Sequence, residues 1–236
     1  MCGRYVLATP IDELADFFGA TRAPGFDGEW AANYNIAPTR TVLCLSAGAE
    51  GGRVLATYRW GLIPSWAKEP SVGSRLFNAR AETVAVKPSF RAAFKARRLA
   101  VISDGFFEWR RGAGTRRQPY FLSRADGSPM AFAGLWESWR DPATAGDEAA
   151  AVRSCTIITT EANPEVAPIH DRMPVVLARD GLAAWLDRAV AERDELEGLL
   201  RPAPAGTLAV RPVSPAVGSV RNNGPHLIEE VAPDWE

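Results

Sequence analysis

Histidine, cysteine and long apolar runs are all scarce in this chain of 236 residues. The only histidines are His170 and His226, and neither CxxC nor HExxH occurs. We therefore expect no zinc site, no other metal and no cofactor. The cysteines Cys2, Cys44 and Cys155 lie far apart. An odd, sparse set argues against a disulfide framework. No stretch approaches the roughly 20 apolar residues that span a bilayer, and no basic segment followed by an apolar one opens the chain. These absences lead us to expect a soluble, cytoplasmic protein with no membrane partner. The phosphate-cradling loops GxGxxG and GxxxxGKS/T are missing too. Net charge is only −1, so nucleic-acid binding would need arginines clustered locally.

What is present is an ordinary globular balance, 47% hydrophobic and 23% charged, in a chain long enough to bury a core. Short strand-like segments dominate, at 4–7, 41–46, 53–60, 99–103, 106–110, 119–123, 130–134, 153–159, 174–178 and 207–213. Thr9-Pro10 before Ile11-Asp12-Glu13-Leu14 reads as a capped helix start, and Gly19 ends that helix. Further helical stretches are Ala79–Ala85, a segment from Pro88 carrying Phe90 and Phe94 on one face, and a longest one within 180–200 with Leu182, Trp185 and Leu196 at helical spacing. Strands interleaved irregularly with helices predict an α+β fold in a single mixed domain over 1–236, with peripheral helices. Residues 140–151 read as a loop insertion and 201–206 as a connector. Cys44 and Cys155 sit in apolar runs and read as core.

Cys2 is different because of its position. Once Met1 is removed, one residue carries both a thiol (pKa roughly 8.5) and an α-amine (about 7.7–8.0). Both are partly nucleophilic near neutrality. Such an aminothiol can attack a carbonyl with nitrogen and close a five-membered ring with sulfur, which no internal cysteine can do. The alternative is a small residue in a frayed terminus.

Five other segments place polar residues in unusual company. Asn33-Tyr34-Asn35-Ile36-Ala37-Pro38-Thr39 reads as an ordered turn or as a binding loop. In Trp60-Gly61-Leu62-Ile63-Pro64-Ser65-Trp66, Trp60 reads as core and Trp66 as a ring that can stack on a base or sugar. In Phe77-Asn78-Ala79-Arg80, Asn78 is either a helix cap or part of an anion site beside Arg80. In Gly105-Phe106-Phe107-Glu108-Trp109-Arg110, strand alternation puts Glu108 on one face with Phe106 and Arg110. Buried among aromatics, its pKa would rise towards the range useful for proton transfer. Exposed on an edge strand, it would do nothing. In Ile169-His170-Asp171-Arg172-Met173-Pro174, an extended chain would project His170 and Arg172 to one side.

The ordered series Cys2-Gly3-Arg4-Tyr5, Asn35-Ile36-Ala37-Pro38, Trp60-Gly61-Leu62-Ile63-Pro64, Asn78-Ala79-Arg80-Ala81-Glu82-Thr83, Gly105-Phe106-Phe107-Glu108-Trp109 and Ile169-His170-Asp171-Arg172-Met173-Pro174 resembles the SOS response-associated peptidase (SRAP) family. These proteins process abasic sites and shield damaged single-stranded DNA. The segments Pro212–Gly218 and Val220–Gly224 fit the family's closing motif, so the resemblance spans about 2–228. Ala67 departs from it, since relatives often carry a second aromatic there.

The resemblance implies a β-barrel-like core, a basic channel for single-stranded DNA, loss of Met1, by self-processing (the source of the peptidase name) or by an aminopeptidase, and a covalent link from Cys2 to the abasic sugar. It implies catalytic roles for Cys2, Asn78, Glu108 and His170. DNA contacts would come from Arg4, Asn35, Pro38, Trp66, Arg80, Thr159 and Arg172. The partner is single-stranded DNA containing abasic sites, and a monomer is expected. Three rivals stand beside this reading: an N-terminal-nucleophile amidohydrolase, though its Arg-Gly-Pro-Asp signature is missing, a protease acting on other proteins, and a non-covalent single-stranded DNA-binding module.

Overall fold

The computed structural model describes residues 2–26, 28–49, 51–112, 117–142, 151–190 and 192–233. The strands are β1 (Tyr5–Leu7), β2 (Ala20–Arg22), β3 (Asn33–Ile36), β4 (Thr41–Ala47), β5 (Arg53–Trp60), β6 (Asn78–Arg80), β7 (Arg98–Ser103), β8 (Gly105–Arg111), β9 (Arg117–Arg124), β10 (Met130–Trp139), β11 (Val152–Glu161), β12 (Arg172–Pro174) and β13 (Leu208–Pro212). The helices are α1 (Ile11–Phe18), α2 (Ala81–Val84), α3 (Arg91–Ala96), α4 (Arg179–Leu186) and α5 (Arg193–Gly198).

Five strands close a barrel in the order β11-β10-β7-β4-β5, and a parallel pairing of Ser154 with Arg59 and Cys155 with Trp60 joins its ends. The β2 strand extends it beside β5, while β12 and β6 flank β11. Closure removes exposed edges, so the ring strands can be apolar on both faces. Every residue of β7 is buried, with α4 packed on its outer side and Trp185 Nε1 donating to the Leu99 carbonyl at 2.9 Å. Cys44 and Cys155 are both buried in this core.

A second sheet, β13-β9-β8-β1-β3, is antiparallel throughout. Alternation along β8 sends Phe106 into the main core, while Phe107 joins a smaller cluster with Val6, Phe121, Val213, Val217 and Leu227. Short 3-10 turns at 215–218 and 225–228 cover that cluster. Each buried phenylalanine contributes about 1.5–3 kcal/mol, which anchors the C-terminal segment against the N-terminal strand.

The α+β barrel expected from the sequence is present, and several local expectations are corrected. Residues 33–36 form a strand, and the turn occupies only 37–40, where Arg40 N–H donates to the Ala37 carbonyl at 3.3 Å. Asn78 is a strand residue rather than a helix cap. The helix after it spans four residues with Arg80 at its N-cap, too short to serve as an anion site. At α1 the N-cap is Pro10, because the Thr9 hydroxyl donates to Asp104 at 2.8 Å. The left-handed Gly19 does end α1 (φ 58°). The stretch within 180–200 is two helices, α4 and α5, and residues 174–178 are strand only up to Pro174. Residues 143–150 of the 140–151 stretch lie outside the described residues. Among the described residues no helix is long and apolar enough to cross a membrane.

Candidate functional site

The site begins where β1 meets β8. Tyr5 pairs with Phe106, and Phe107 N–H donates to the Arg4 carbonyl at 2.9 Å. Continuing that register brings Gly3 opposite Glu108, so Cys2 and Glu108 become neighbours. Both are buried, Glu108 with only 3% exposure. Burial pushes the Glu108 carboxyl up to about 7, against the opposing positive charge of the chain's amino terminus. Burial also pushes the Cys2 thiol up, the Glu108 charge adds to this, and the amino-terminal charge opposes it. Burial lowers His170, with the same amino-terminal charge acting second.

His170 does not lie in a fully extended segment, contrary to the sequence-based expectation. Its Nδ1 accepts from Arg172 N–H at 2.9 Å, which folds 170–172 into a tight turn. An accepting Nδ1 puts the proton of the neutral imidazole on Nε2. Asp171 Oδ1 lies 2.9 Å from the same Nδ1 and would accept from it in the charged ring. Burial favours the neutral form, so Nε2–H is the donor this site presents.

Asn78 lies on β6, which runs parallel to β11 with Asn78 opposite Ile157 and Arg80 opposite Thr159. Its Nδ2 donates to the Phe77 carbonyl at 3.1 Å, which fixes the amide orientation. The remaining Oδ1 is buried with no hydrogen-bond donor among the described residues. Leaving such an acceptor unpaired costs about 1–3 kcal/mol, and it suits an acceptor reserved for a ligand N–H or O–H. The Phe77 carbonyl also accepts from Trp60 Nε1 at 2.8 Å, and Trp60 packs edge-on against Tyr5 at 5.4 Å. Asn78 is thus tied to the N-terminal segment through the core.

The proposed DNA-contacting residues divide by what holds them. Arg172 makes a two-pronged pair with Glu82, at 2.5 and 3.0 Å, and donates to the Thr159 carbonyl at 2.6 Å. Its charge is largely answered within the protein. Arg4 donates to Asn35 Oδ1 at 2.6 Å and to the carbonyls of Val217 and Gly218 at 2.8 and 3.1 Å. All are neutral acceptors, so its positive charge persists. Asn35 is buried and donates to the carbonyls of Val217, Ser219 and Asn222. In this structure Arg4 and Asn35 hold the closing segment against the N-terminal strands. Arg80 is exposed, and so is Trp66 at 63%. Ala67 is buried, and its carbonyl accepts from Trp139 Nε1 at 2.7 Å. Gly61, at φ +124°, has the Gly73 carbonyl oxygen 2.5 Å from where a Cβ would sit, which fixes the loop that displays Trp66. Pro38 is half-buried in the 37–40 turn, and Thr159 donates weakly to the Ala79 carbonyl at 3.4 Å.

Two features escaped sequence reasoning. Glu82 pairs with Arg172 across 90 positions, and no local pattern announces that. Thr39 adopts φ +73°, the only left-handed non-glycine among the described residues. A Pro-Thr pair at the centre of a turn could have suggested it, since the residue after proline in a type II turn needs positive φ.

The fold and this cluster define a class: an α+β barrel with its polar centre at the second residue of the chain. The chain belongs to the SRAP family, whose model, described as SOS response associated peptidase (SRAP), matches residues 1–220. Abasic site processing protein YoqW of Bacillus subtilis is 38% identical over 229 residues, covering 97% of this chain and 99% of that protein. Abasic site processing protein YedK of Escherichia coli is 32% identical over 234 residues, covering 98% and 100%. Abasic site processing protein HMCES of Pongo abelii is 31% identical, covering 98% of this chain and 76% of its own length. A crystal structure of a Bacteroides thetaiotaomicron protein matches with a TM-score of 0.86 over 98% of this chain and all of that one; at 22% identity this speaks to fold alone.

Proposed function

We propose that this protein captures abasic sites in single-stranded DNA by forming a thiazolidine through Cys2 after Met1 is removed. The observation that carries the reading is the buried Glu108 carboxyl beside the Cys2 segment, which burial pushes up to about 7. A carboxyl in that range can take a proton from an ammonium and return one to a departing hydroxyl.

The steps follow from the groups present. The opened sugar presents an aldehyde at C1′. His170 Nε2–H donates to the ring oxygen as it opens. Glu108 takes a proton from the α-ammonium, and the free amine attacks C1′. Glu108 returns that proton to the carbinolamine hydroxyl, water leaves, and a Schiff base forms. The Cys2 sulfur then bonds to C1′ while the thiol proton passes to nitrogen, closing the ring. Asn78 Oδ1 accepts from the amine or a sugar hydroxyl. Arg80 faces the phosphates, with the residual charge of Arg4 behind it, and Trp66 stacks on a neighbouring base. A thiol kept protonated by burial and by the Glu108 charge favours nitrogen acting first. It is ill suited to the thiolate-first attack of an amidohydrolase.

The test uses untagged protein whose mature N-terminus is verified as Cys2 by mass spectrometry. It is mixed with single-stranded DNA carrying one abasic site and then denatured. A denaturation-resistant adduct that is absent from Cys2→Ala is expected. Cys2→Ser should leave at most a reducible imine. No adduct from verified protein would overturn the proposal.

A further inference from the structure

At the mouth of the barrel far from Cys2 lies a cavity of about 250 Å³. Strand direction explains which residues meet there: β4 ends at Ser46 and Ala47, Val54 is second on β5, Arg98 begins β7, Trp136 is late on β10, and Arg153 is second on β11. Small side chains leave the space, including Ala47, Ala56 and Ala96. One wall is aromatic, with the Tyr58 and Trp136 rings 5.9 Å apart. The Tyr58 hydroxyl is hydrogen-bonded to Ser46 and lies within the field of Arg153.

Charge at this mouth is one-sided. Arg98, Arg153 and Arg188 line the cavity, and among the described residues no carboxylate does. Arg98 is buried at the base, where five backbone carbonyls accept its donors, at Trp185, Phe94, Lys95, Asp187 and Val190. Those acceptors are neutral, and the nearby Asp187 carboxylate acts on it only at a distance. Arg188 donates to the Ala47 carbonyl at 3.0 Å, and Arg153 has no ion-pair partner among the described residues. Both are exposed at the rim. Guanidiniums held by neutral groups keep their attraction for an anion, and their forked donors match phosphate oxygens. An aromatic and methyl-lined wall offers a flat ring its own contact. The volume, about 250 Å³, lies just below the roughly 300–1,000 Å³ of small-ligand sites, so the ligand must leave part of itself at the open rim.

We propose that this far mouth is a binding site for a nucleoside monophosphate, its phosphate on Arg153 and Arg188 and its base against Trp136. The site is separate from Cys2 and does not rest on covalent capture. The experiment titrates the full chain and its Cys2→Ala variant with deoxyadenosine monophosphate, inorganic phosphate and deoxyadenosine, followed by calorimetry. The monophosphate should bind at least tenfold more tightly than either fragment. Arg153→Ala and Arg188→Ala, both on the surface, should each weaken it several-fold. Trp136→Phe should weaken it less, and Arg80→Ala, at the Cys2 end, should leave it unchanged. Covalent capture of abasic DNA should be unaffected by Arg153→Ala. Three results would each overturn the site: phosphate binding as tightly as the monophosphate, no loss in either rim variant, or a loss confined to Arg80→Ala.

Discussion

The two ends of the barrel bury polar groups in different ways. At the far mouth, Arg98 is wrapped by five carbonyls, so burial leaves every donor answered. At the Cys2 end, burial is left partly unanswered: Asn78 Oδ1 has no donor among the described residues and Glu108 is forced far above its ordinary range. One end is built for stability, with spare charge at its rim. The other keeps groups in states that folding alone would not choose, the pattern expected where chemistry is done.

The sharpest way to break this contrast is to remove the carboxylate. Glu108→Gln should slow adduct formation by about two to four orders of magnitude, while DNA affinity changes less than about twofold, because no phosphate contact is lost. Single-turnover gel kinetics against pH would check both. The wild-type rate should rise through an inflection near 7, where Glu108 loses its proton. Above about 7.7–8.0 the amine has lost the proton that Glu108 passes on, so the wild-type rate should fall again. The variant lacks the carboxylate, and its rate should only rise as the amine deprotonates. If Glu108→Gln abolishes DNA binding instead, the proton-transfer role is wrong.

Next in size is the clasp that supports this end from behind. Asn35→Ala would take the side-chain donor from the Ser219 and Asn222 carbonyls and one acceptor from Arg4, which keeps its bonds to Val217 and Gly218. Orphaned buried groups cost about 1–3 kcal/mol each, and water entering the partly exposed ones limits the total to about 3 kcal/mol. Chemical denaturation would measure it. Adduct yield per folded molecule should fall less than in Glu108→Gln. If stability is unchanged, Asn35 acts on DNA directly and not as a clasp.

The same Glu108→Gln variant should show the opposite sign in stability. A carboxyl whose folded pKa is raised above its unfolded value makes the folded state hold its proton more tightly. Stability is then intact below about 4.5, falls as pH rises towards about 7, and stays lower above that. A rise from 4.5 to about 7 corresponds to roughly 3 kcal/mol. In protein retaining Met1, removing the carboxylate should recover about 2 kcal/mol at pH 8 and almost nothing at pH 4.5. Melting curves at the two pH values would show it. An equal effect at both would mean that the carboxylate is not desolvated.

How much of this was legible beforehand depended on range. Strands such as β5 follow from apolar β-branched runs between turn residues, and β8 alternation placed Phe106 and Phe107 on opposite sides correctly. Burial of Glu108 was readable because the residues that precede it in β8 are apolar and buried. Three short strands, β2, β3 and β6, were missed, since three or four residues carry little periodicity and their pairing comes from distant partners. Asn35 looked like a turn former because its partners lie more than 180 positions away. The same distance hid the pairing of Arg172 with Glu82.

The smallest predicted effect concerns Thr39, the only left-handed non-glycine among the described residues. In the turn 37–40, Pro38 sets the second position and Thr39 takes the third at φ +73°. A left-handed L-residue costs about 1–2 kcal/mol, and β-branching makes threonine a poor choice there. Its N–H donates to the Trp60 carbonyl at 2.7 Å, and Trp60 N–H returns a bond to the Arg40 carbonyl at 2.8 Å. The barrel therefore holds the turn in place. Asparagine tolerates this conformation and avoids the extra chain entropy of glycine. Thr39→Asn should raise stability by about 0.5–1 kcal/mol, measurable as a shifted denaturation midpoint. If the strain serves only to close the turn, capture of abasic DNA will be unchanged. A fall in capture alongside the gain in stability would instead place the Thr39 hydroxyl among the working groups at the Cys2 end.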